Sequence, residues 1–347
     1  MPRLRRSDPS LAGFTRRRSG RGFVYLDDRG ERITDPEVLQ RIRGLVIPPA
    51  WADVWICPDA LGHLQAVGTD AAGRRQYLYH SLWRTRRDQE KFDRMLEFAR
   101  ALPRLREVTS EHLSNEGPTR ERVLACSVRL LDRGFFRIGS EAYAEDNGTF
   151  GLATMHLSHV ALGPDGSVEF DYPAKGGKRH IQSVVDPEVV EVVAVLKRRR
   201  GDPQLLAWRE GRRWVDVRSD DINAYIKDVA GEGYSAKDFR TWHGTVMAAT
   251  ALAVAAPSAR SRTAAKRAMV WAVKDVARYL GNTPAVCRAS YIDPRVFDRY
   301  RSGWTIAGLL DELGTKRHDE PELQALIEEA VVDLIRGEDS PAIERAA

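Results

Sequence analysis

The pattern of apolar and polar positions changes character along the chain. Residues 21–33, RGFVYLDDRGERI, alternate around a DDRG turn, and residues 54–80, VWICPDALGHLQAVGTDAAGRRQYLYH, break at Pro and Gly into two or three short runs. A period of two places successive side chains on opposite faces, so this part is predicted to be β-rich. An extended IPPAW segment at 47–51 lies between the two blocks. From about residue 82 the period lengthens, with Phe92, Met95, Leu96 and Ala99 at helical spacing in a charged stretch. A boundary near residue 88 therefore separates a small β-rich N-terminal domain, 1–88, from a larger, mainly helical domain, 89–347.

In the larger part, residues 119–134 bring Val123, Leu124, Leu130 and Leu131 onto one broad face. Further helices are predicted at 186–200, 219–230, 242–255 and 263–280, the last with a stripe of Met269, Val273, Val276 and Leu280. Between them, residues 152–173 read as strand, GPDG turn, strand. Residues 322–335 form an amphipathic helix within an acidic C-terminal segment of about 306–347. The fold class is α+β. The small-apolar run at 246–257 is too short to cross a bilayer and reads as a buried helix.

Charge alters this picture. A formal net charge of +5 conceals an acidic tail, because residues 311–347 hold 11 acids against 4 bases, which leaves +12 on residues 1–310. The first 22 residues carry seven arginines and one aspartate. Such a body implies a polyanionic partner, most simply nucleic acid, with ordinary surface arginine as the alternative. Three widely spaced cysteines, Cys57, Cys126 and Cys287, fit neither a disulfide framework nor a zinc finger and point to a reducing cytoplasm. No signal-peptide pattern opens the chain.

Several chemistries lack their residues. KGGK at 175–178 misses the first glycine and the Ser/Thr of a phosphate-binding loop. His156 and His159 fall on the expected strand, where H-x-x-H spacing turns them to opposite faces, so they read as structural rather than as metal ligands. No acidic triad supports a two-metal phosphodiesterase. What remains is Arg137 after a helix beside a Gly-Ser turn, Lys175 in a glycine-flanked loop, Arg240 at a helix start, and Asn282 nine residues before Tyr291. Each has an ordinary structural reading: charge partner, loop tip or packing. A phenol with a pKa of about 10 is ionised to roughly one part in a thousand at pH 7, so a reactive Tyr291 needs help from other groups.

Taken together these contexts resemble the type IB DNA topoisomerases of the bacterial and poxvirus kind. The similarity rests on RIG beginning at Arg137, FDYPAK ending at Lys175, KDFRT around Arg240, and LGNTPAVCRASY, which holds Asn282 and ends at Tyr291. The blocks RRRSGRGFVYLD, IPPAWADVWICPD and GRRQYLYH are also similar. The resemblance implies the catalytic fold shared with tyrosine recombinases and assigns Tyr291 as nucleophile. Arg137, Arg240 and Asn282 then stabilise the transition state, and Lys175 acts as general acid. Asn282 stands where some members have His, and is restricted to hydrogen-bond donation. Arg74, Arg75, Gln76, Tyr77, Tyr79 and Lys237 are expected to contact DNA. The implied activity relaxes supercoiled duplex DNA through a 3′-phosphotyrosyl intermediate, without ATP, metal or other cofactor. It is carried out by a cytoplasmic, nucleoid-associated monomer clamped around DNA, with no membrane contact. Two alternatives stay open. A tyrosine recombinase shares the residue set but usually carries H-x-x-R where this chain has Lys237, and a non-catalytic DNA-binding protein would keep only the basic surface.

Overall fold

The computed structural model describes residues 3–200, 203–259, 261–313 and 320–345. It divides into two compact units, Met1–Phe92 and Asp93–Ala347. In the first, strands β1 (Phe14–Ser19), β2 (Gly22–Leu26), β3 (Ala52–Ile56), β4 (Leu64–Thr69) and β5 (Arg75–Tyr79) form an antiparallel sheet in the order β2-β1-β3-β4-β5. Its core joins Val54, Ile56 and Ala66 to Ile42 of helix α1 (Pro36–Gly44). Burying a Val or Ile side chain contributes ~1.5–3 kcal/mol.

Helix α1 was not anticipated, although its start is written in Asp35-Pro36-Glu37. Asp35 accepts from the amides of Glu37 and Val38 at 2.8 and 3.3 Å, and Pro36 needs no donor at the first helical position. The DDRG turn closes on an isolated bridge between Leu26 and Arg32, while β2 takes β1 as its ladder partner. IPPAW contains a turn rather than a fully extended run, with Trp51 N–H donating to Pro48 at 3.1 Å. Arg16 donates to the carbonyls of Ile47, Pro48 and Trp51 at 2.7–3.1 Å, so this arginine of the basic N-terminal run ties β1 to that turn.

Helix α2 (Ser81–Leu113) runs unbroken through the division at 92/93, so no linker marks it. In the second unit follow α3 (Arg120–Gly134), α4 (Glu141–Asn147) and the sheet β6 (Val160–Leu162), β7 (Ser167–Ala174), β8 (Lys178–Val185). Then come α5 (Pro187–Lys197), the hairpin β9 (Ala207–Glu210) and β10 (Arg213–Asp216), and α6 (Ser219–Ala230). Helices α7 (Ala236–Ala255), α8 (Arg262–Tyr279), α9 (Pro284–Ser290) and α10 (Pro294–Arg301) carry the rest of the interior. The chain closes with β11 (Trp304–Thr305), α11 (Ala307–Leu313), α12 (Glu320–Arg336) and β12 (Glu344–Arg345), which pairs with β11. Helices α3 and α7 are the most deeply buried elements, contributing Val123, Leu124, Leu130, Leu131, Phe239 and Trp242 to the core.

Two readings of this unit change. Residues 152–159 form two tight turns instead of a strand. Their amides bond to loops: Leu152 and Ala153 donate to Arg137 and Ile138, and Leu157 donates to Pro203. Leu152, Ala153 and Met155 are all fully buried, without the alternation a strand requires. His156 and His159 consequently stack, rings 5.2 Å apart and 1° from parallel, instead of facing opposite ways. The sheet instead gains β8, so Lys175 sits at the turn joining β7 to β8. The acidic segment of about 306–347 is divided between α11 and α12; its residues 314–319 and 346–347 lie outside the described residues. Among the described residues, no helix is long and apolar enough to cross a membrane. None of their His, Cys, Asp and Glu side chains group in threes that would hold a metal.

Candidate active site

Arg137 leaves α3 through Phe135, a C-cap residue in the left-handed region at φ 52°. The loop is pinned where Gly139 crosses Gly151. A Cβ on Gly151 would lie 2.5 Å from the Gly139 backbone, so glycine is required there. The amides of Leu152 and Ala153, donating at 2.8 and 2.7 Å to Arg137 and Ile138, lock this crossing.

Arg240 lies one turn into α7, whose start is closed by Ser235 and Asp238; the amide and hydroxyl of Ser235 both donate to Asp238 Oδ2 at 2.9 Å. The Arg240 side chain is buried, donating through Nη1 to the Phe135 carbonyl at 2.5 Å and through Nη2 to the Leu280 carbonyl at 2.6 Å. Arg137 Nη2 reaches the carbonyls of Leu280 and Gly281 at 3.4 and 2.9 Å and Asn282 Oδ1 at 2.5 Å. Carbonyls at a helix end carry partial negative charge, so the C-termini of α3 and α8 offset two adjacent guanidiniums. Burial, followed by the charge of Arg137, lowers the pKa of Arg240 to about 10.

Pro284 begins α9, capped by Thr283, rather than merely turning the chain off α8. Tyr291 is the C-cap of this seven-residue helix, its amide donating to Cys287 at 2.9 Å. Its carbonyl lies against Gly244 of α7, where a Cβ would come within 2.7 Å. Thr245 of α7 accepts the Asp293 amide at 3.1 Å. Buried Asp293 caps α10 and pairs with Arg295, which also binds Asp93 at 2.8 Å. The guanidinium carbon of Arg240 lies 5.3 Å from the Tyr291 ring centre. Asn282 commits Oδ1 to Arg137, and its amide Nδ2 is buried.

Arg137, Lys175, Lys237, Arg240 and Tyr291 line a single cleft of about 300 Å³. No Asp or Glu is among the described residues that line it. Lys175 and Lys237 are exposed at its margin, and Asn282 joins through its bond to Arg137. Four cations and one phenol suit a phosphodiester, whose transition state spreads negative charge over non-bridging oxygens. His180, on β8, was not singled out by its sequence context. Its Nε2 shares a hydrogen bond with Gln182 at 3.1 Å, and burial lowers its pKa, with Arg240 and Arg137 adding to that effect. Its only sequence signal is its place five residues after Lys175, visible once β8 is known.

The candidates of the first unit share β5. Tyr77 and Tyr79 are exposed on one face, their rings 6.3 Å apart and 20° from parallel. Gln76 lies on the opposite face with Leu78 and donates to Asp70 at 2.9 Å. Asp70 also accepts from Arg74 at 3.0 Å, and Arg75 is exposed.

Residues 80–307 match the model of the catalytic core of eukaryotic DNA topoisomerase I, and residues 22–70 match that of the N-terminal domain of bacterial DNA topoisomerase IB. The chain is 28% identical over 299 residues to DNA topoisomerase 1B of Acanthamoeba polyphaga mimivirus, covering 84% of this chain and 88% of that protein. It is 27% identical over 133 residues to DNA topoisomerase 1B of vaccinia virus strain Western Reserve, covering 37% and 41%. A 160-residue match at 28% identity to Schizosaccharomyces pombe DNA topoisomerase 1 covers 46% of this chain and 19% of that protein. With the core model spanning more than half of its length, the chain belongs to the type IB DNA topoisomerases.

Proposed function

We propose that the cleft is the active site of a DNA topoisomerase that relaxes supercoiled duplex DNA by transient single-strand cleavage and religation. The observation that carries this reading is the convergence of Arg137, Lys175, Arg240 and Tyr291 on one cleft. Tyr291 Oη attacks the scissile phosphorus in line, forming a 3′-phosphotyrosyl bond as the P–O5′ bond breaks. The phenol proton passes to solvent, and the departing 5′-oxygen takes a proton from the Lys175 ammonium. Arg137 and Arg240 stay charged at neutral pH and brace the non-bridging oxygens, with Asn282 Nδ2 as a third, neutral donor. Each such donor is worth ~3–4 kcal/mol of barrier.

The phosphotyrosine conserves the energy of the broken linkage, so resealing by the 5′-hydroxyl needs no ATP. Because guanidinium and ammonium groups meet the charge, no metal is required. Between the two steps the free 5′ end swivels about the intact strand. Lys237 at the cleft margin contacts a neighbouring phosphate. The exposed tyrosines of β5 with Arg74, Arg75 and Gln76 contact duplex DNA from the N-terminal domain, so that a monomer clamps the double helix. The helical domain shares the tyrosine recombinase catalytic fold, and the enzyme works on the nucleoid. Plasmid relaxation in EDTA tests the reading: wild type removes supercoils without ATP, and Tyr291→Phe removes none. Wild type that binds plasmid yet leaves it supercoiled would overturn it.

A further inference from the structure

The acidic helix α12 has no part in the chemistry above, yet one of its carboxylates is buried against the catalytic unit. Glu328 accepts from Arg106 Nη1 and Nη2, both at 2.8 Å. The same guanidinium donates through Nε and Nη2 to Asp132 at 2.8 and 3.0 Å. Asp132 lies in the last turn of α3, with His243 Nε2 of α7 at 3.2 Å from its Oδ1. His243 stands three residues beyond Arg240 on the same helix, and its ring meets the Phe135 ring edge-on, centres 5.2 Å apart. Phe135 supplies the carbonyl that holds Arg240 Nη1 at 2.5 Å.

We infer that Asp132 and His243 are positioning residues for Arg240, and that Arg106 and Glu328 extend this support to α12. The inference rests on the role assigned to Arg240 above. A non-glycine residue at φ 52° is strained and persists only where its surroundings hold it. The Phe135 ring packs edge-on against His243 and also meets Tyr279, ring centres 6.3 Å apart, while His243 Nε2 lies 3.2 Å from Asp132 Oδ1. Asp132 is itself a buried carboxylate, which stays ionised in that place only while paired. One guanidinium uses four hydrogen bonds to fix Asp132 and Glu328 at once, a fork geometry that lysine cannot reproduce. The chain of contacts thus runs from an acidic helix, through α2 and α3, to the carbonyl that aims a catalytic cation. The acidic helix is a brace for the active site.

The test is single-turnover cleavage of a suicide duplex, with DNA affinity and thermal midpoint measured in parallel. His243→Leu is expected to slow cleavage about 10- to 100-fold, as small misplacements of catalytic groups do, with the dissociation constant for DNA changed less than about threefold. His243→Gln, which keeps a donor for Asp132, is expected to recover most of the rate. In an Arg240→Lys background His243→Leu should add less than about threefold, because residues acting through one group are non-additive. A full additional loss there, or a wild-type rate for His243→Leu, overturns the inference. Should His243→Leu fail to fold, Glu328→Gln decides: slower cleavage that vanishes as a difference in the Arg240→Lys background supports it, and a wild-type rate refutes it. Wild-type cleavage by Arg240→Lys alone would instead refute the assignment of the cleft.

Discussion

Arg137 and Arg240 share an acceptor, the main-chain carbonyl of Leu280, at 3.4 and 2.6 Å from their respective Nη2 atoms. Two guanidiniums are thus held by the main chain at one helix end. Arg240→Lys keeps the charge but has no planar fork to span the carbonyls of Phe135 and Leu280. Single-turnover cleavage is expected to fall ~10²–10³-fold while duplex affinity stays within about threefold, measured by rapid quench and by fluorescence anisotropy.

Tyr291→Phe removes the proposed nucleophile without disturbing the cap of α9. Covalent adduct on a suicide duplex, visible as a band resistant to denaturation, is expected to disappear, and binding is expected to stay at the wild-type level. Adduct persisting in Tyr291→Phe would move the nucleophile elsewhere.

The buried amide of Asn282, tied to Arg137 through Oδ1, is the proposed neutral donor. Asn282→Ala is expected to slow cleavage about 10²-fold or more by removing that donor. Asn282→Asp, nearly the same shape with no donor and a negative charge, is expected to be slower still. A rate equal to wild type for Asn282→Ala would remove this residue from the machinery.

Gly244 is the point where α7 meets the backbone of Tyr291. A methyl group there would press on the Tyr291 carbonyl at 2.7 Å, so backbone has to move. Gly244→Ala is expected to cost ~1–3 kcal/mol in denaturant unfolding and to slow cleavage by shifting Tyr291.

Asp132 makes a prediction in pH. Burial raises its carboxyl pKa, but the contacts from His243 and Arg106 outweigh this and hold it well below its ordinary value of 3.8. A carboxyl depressed in the folded state stabilises fully above its unfolded pKa and loses that contribution as pH falls through the folded one. Asp132→Asn should therefore be less stable than wild type by ~3 kcal/mol at pH 7, with the gap closing only below about pH 4. Urea midpoints from pH 7 to 3 measure it, and a gap that widens in acid would contradict the pairing.

The side chains of the cleft were readable because each stands beside a local mark. Gly139 follows Arg137, two glycines follow Lys175, a capped helix start precedes Arg240, and Pro284 separates Asn282 from Tyr291. What could not be read is main chain and register. The acceptors that aim the arginines are the carbonyls of Phe135 and Leu280, and a carbonyl has no letter in the sequence. His180 stayed hidden because the period of β8 emerges only when β7 is its neighbour. Residues 152–159 looked like a strand because nothing local tells that their amides are already used by residues 137–138 and 203. The pairs Arg106–Glu328 and Arg295–Asp93 join positions more than two hundred residues apart, beyond the reach of any spacing rule.

The anchorage of Tyr291 acquires a mechanical meaning once DNA is attached to it. In the covalent state proposed here, one end of a twisted double helix hangs from a single phenolic oxygen while the other spins. Whatever drag the swivel meets is delivered as a pull on residue 291. That pull passes into α9 through the Cys287 carbonyl, and past Gly244 and Thr245 into α7. It also reaches Asp293 and, through Arg295, α2. Helix α7 is the element that also holds Arg240, so nucleophile and cation ride on the same girder and shift together under torque. The broken ends of the DNA can turn without the tools for rejoining them drifting apart.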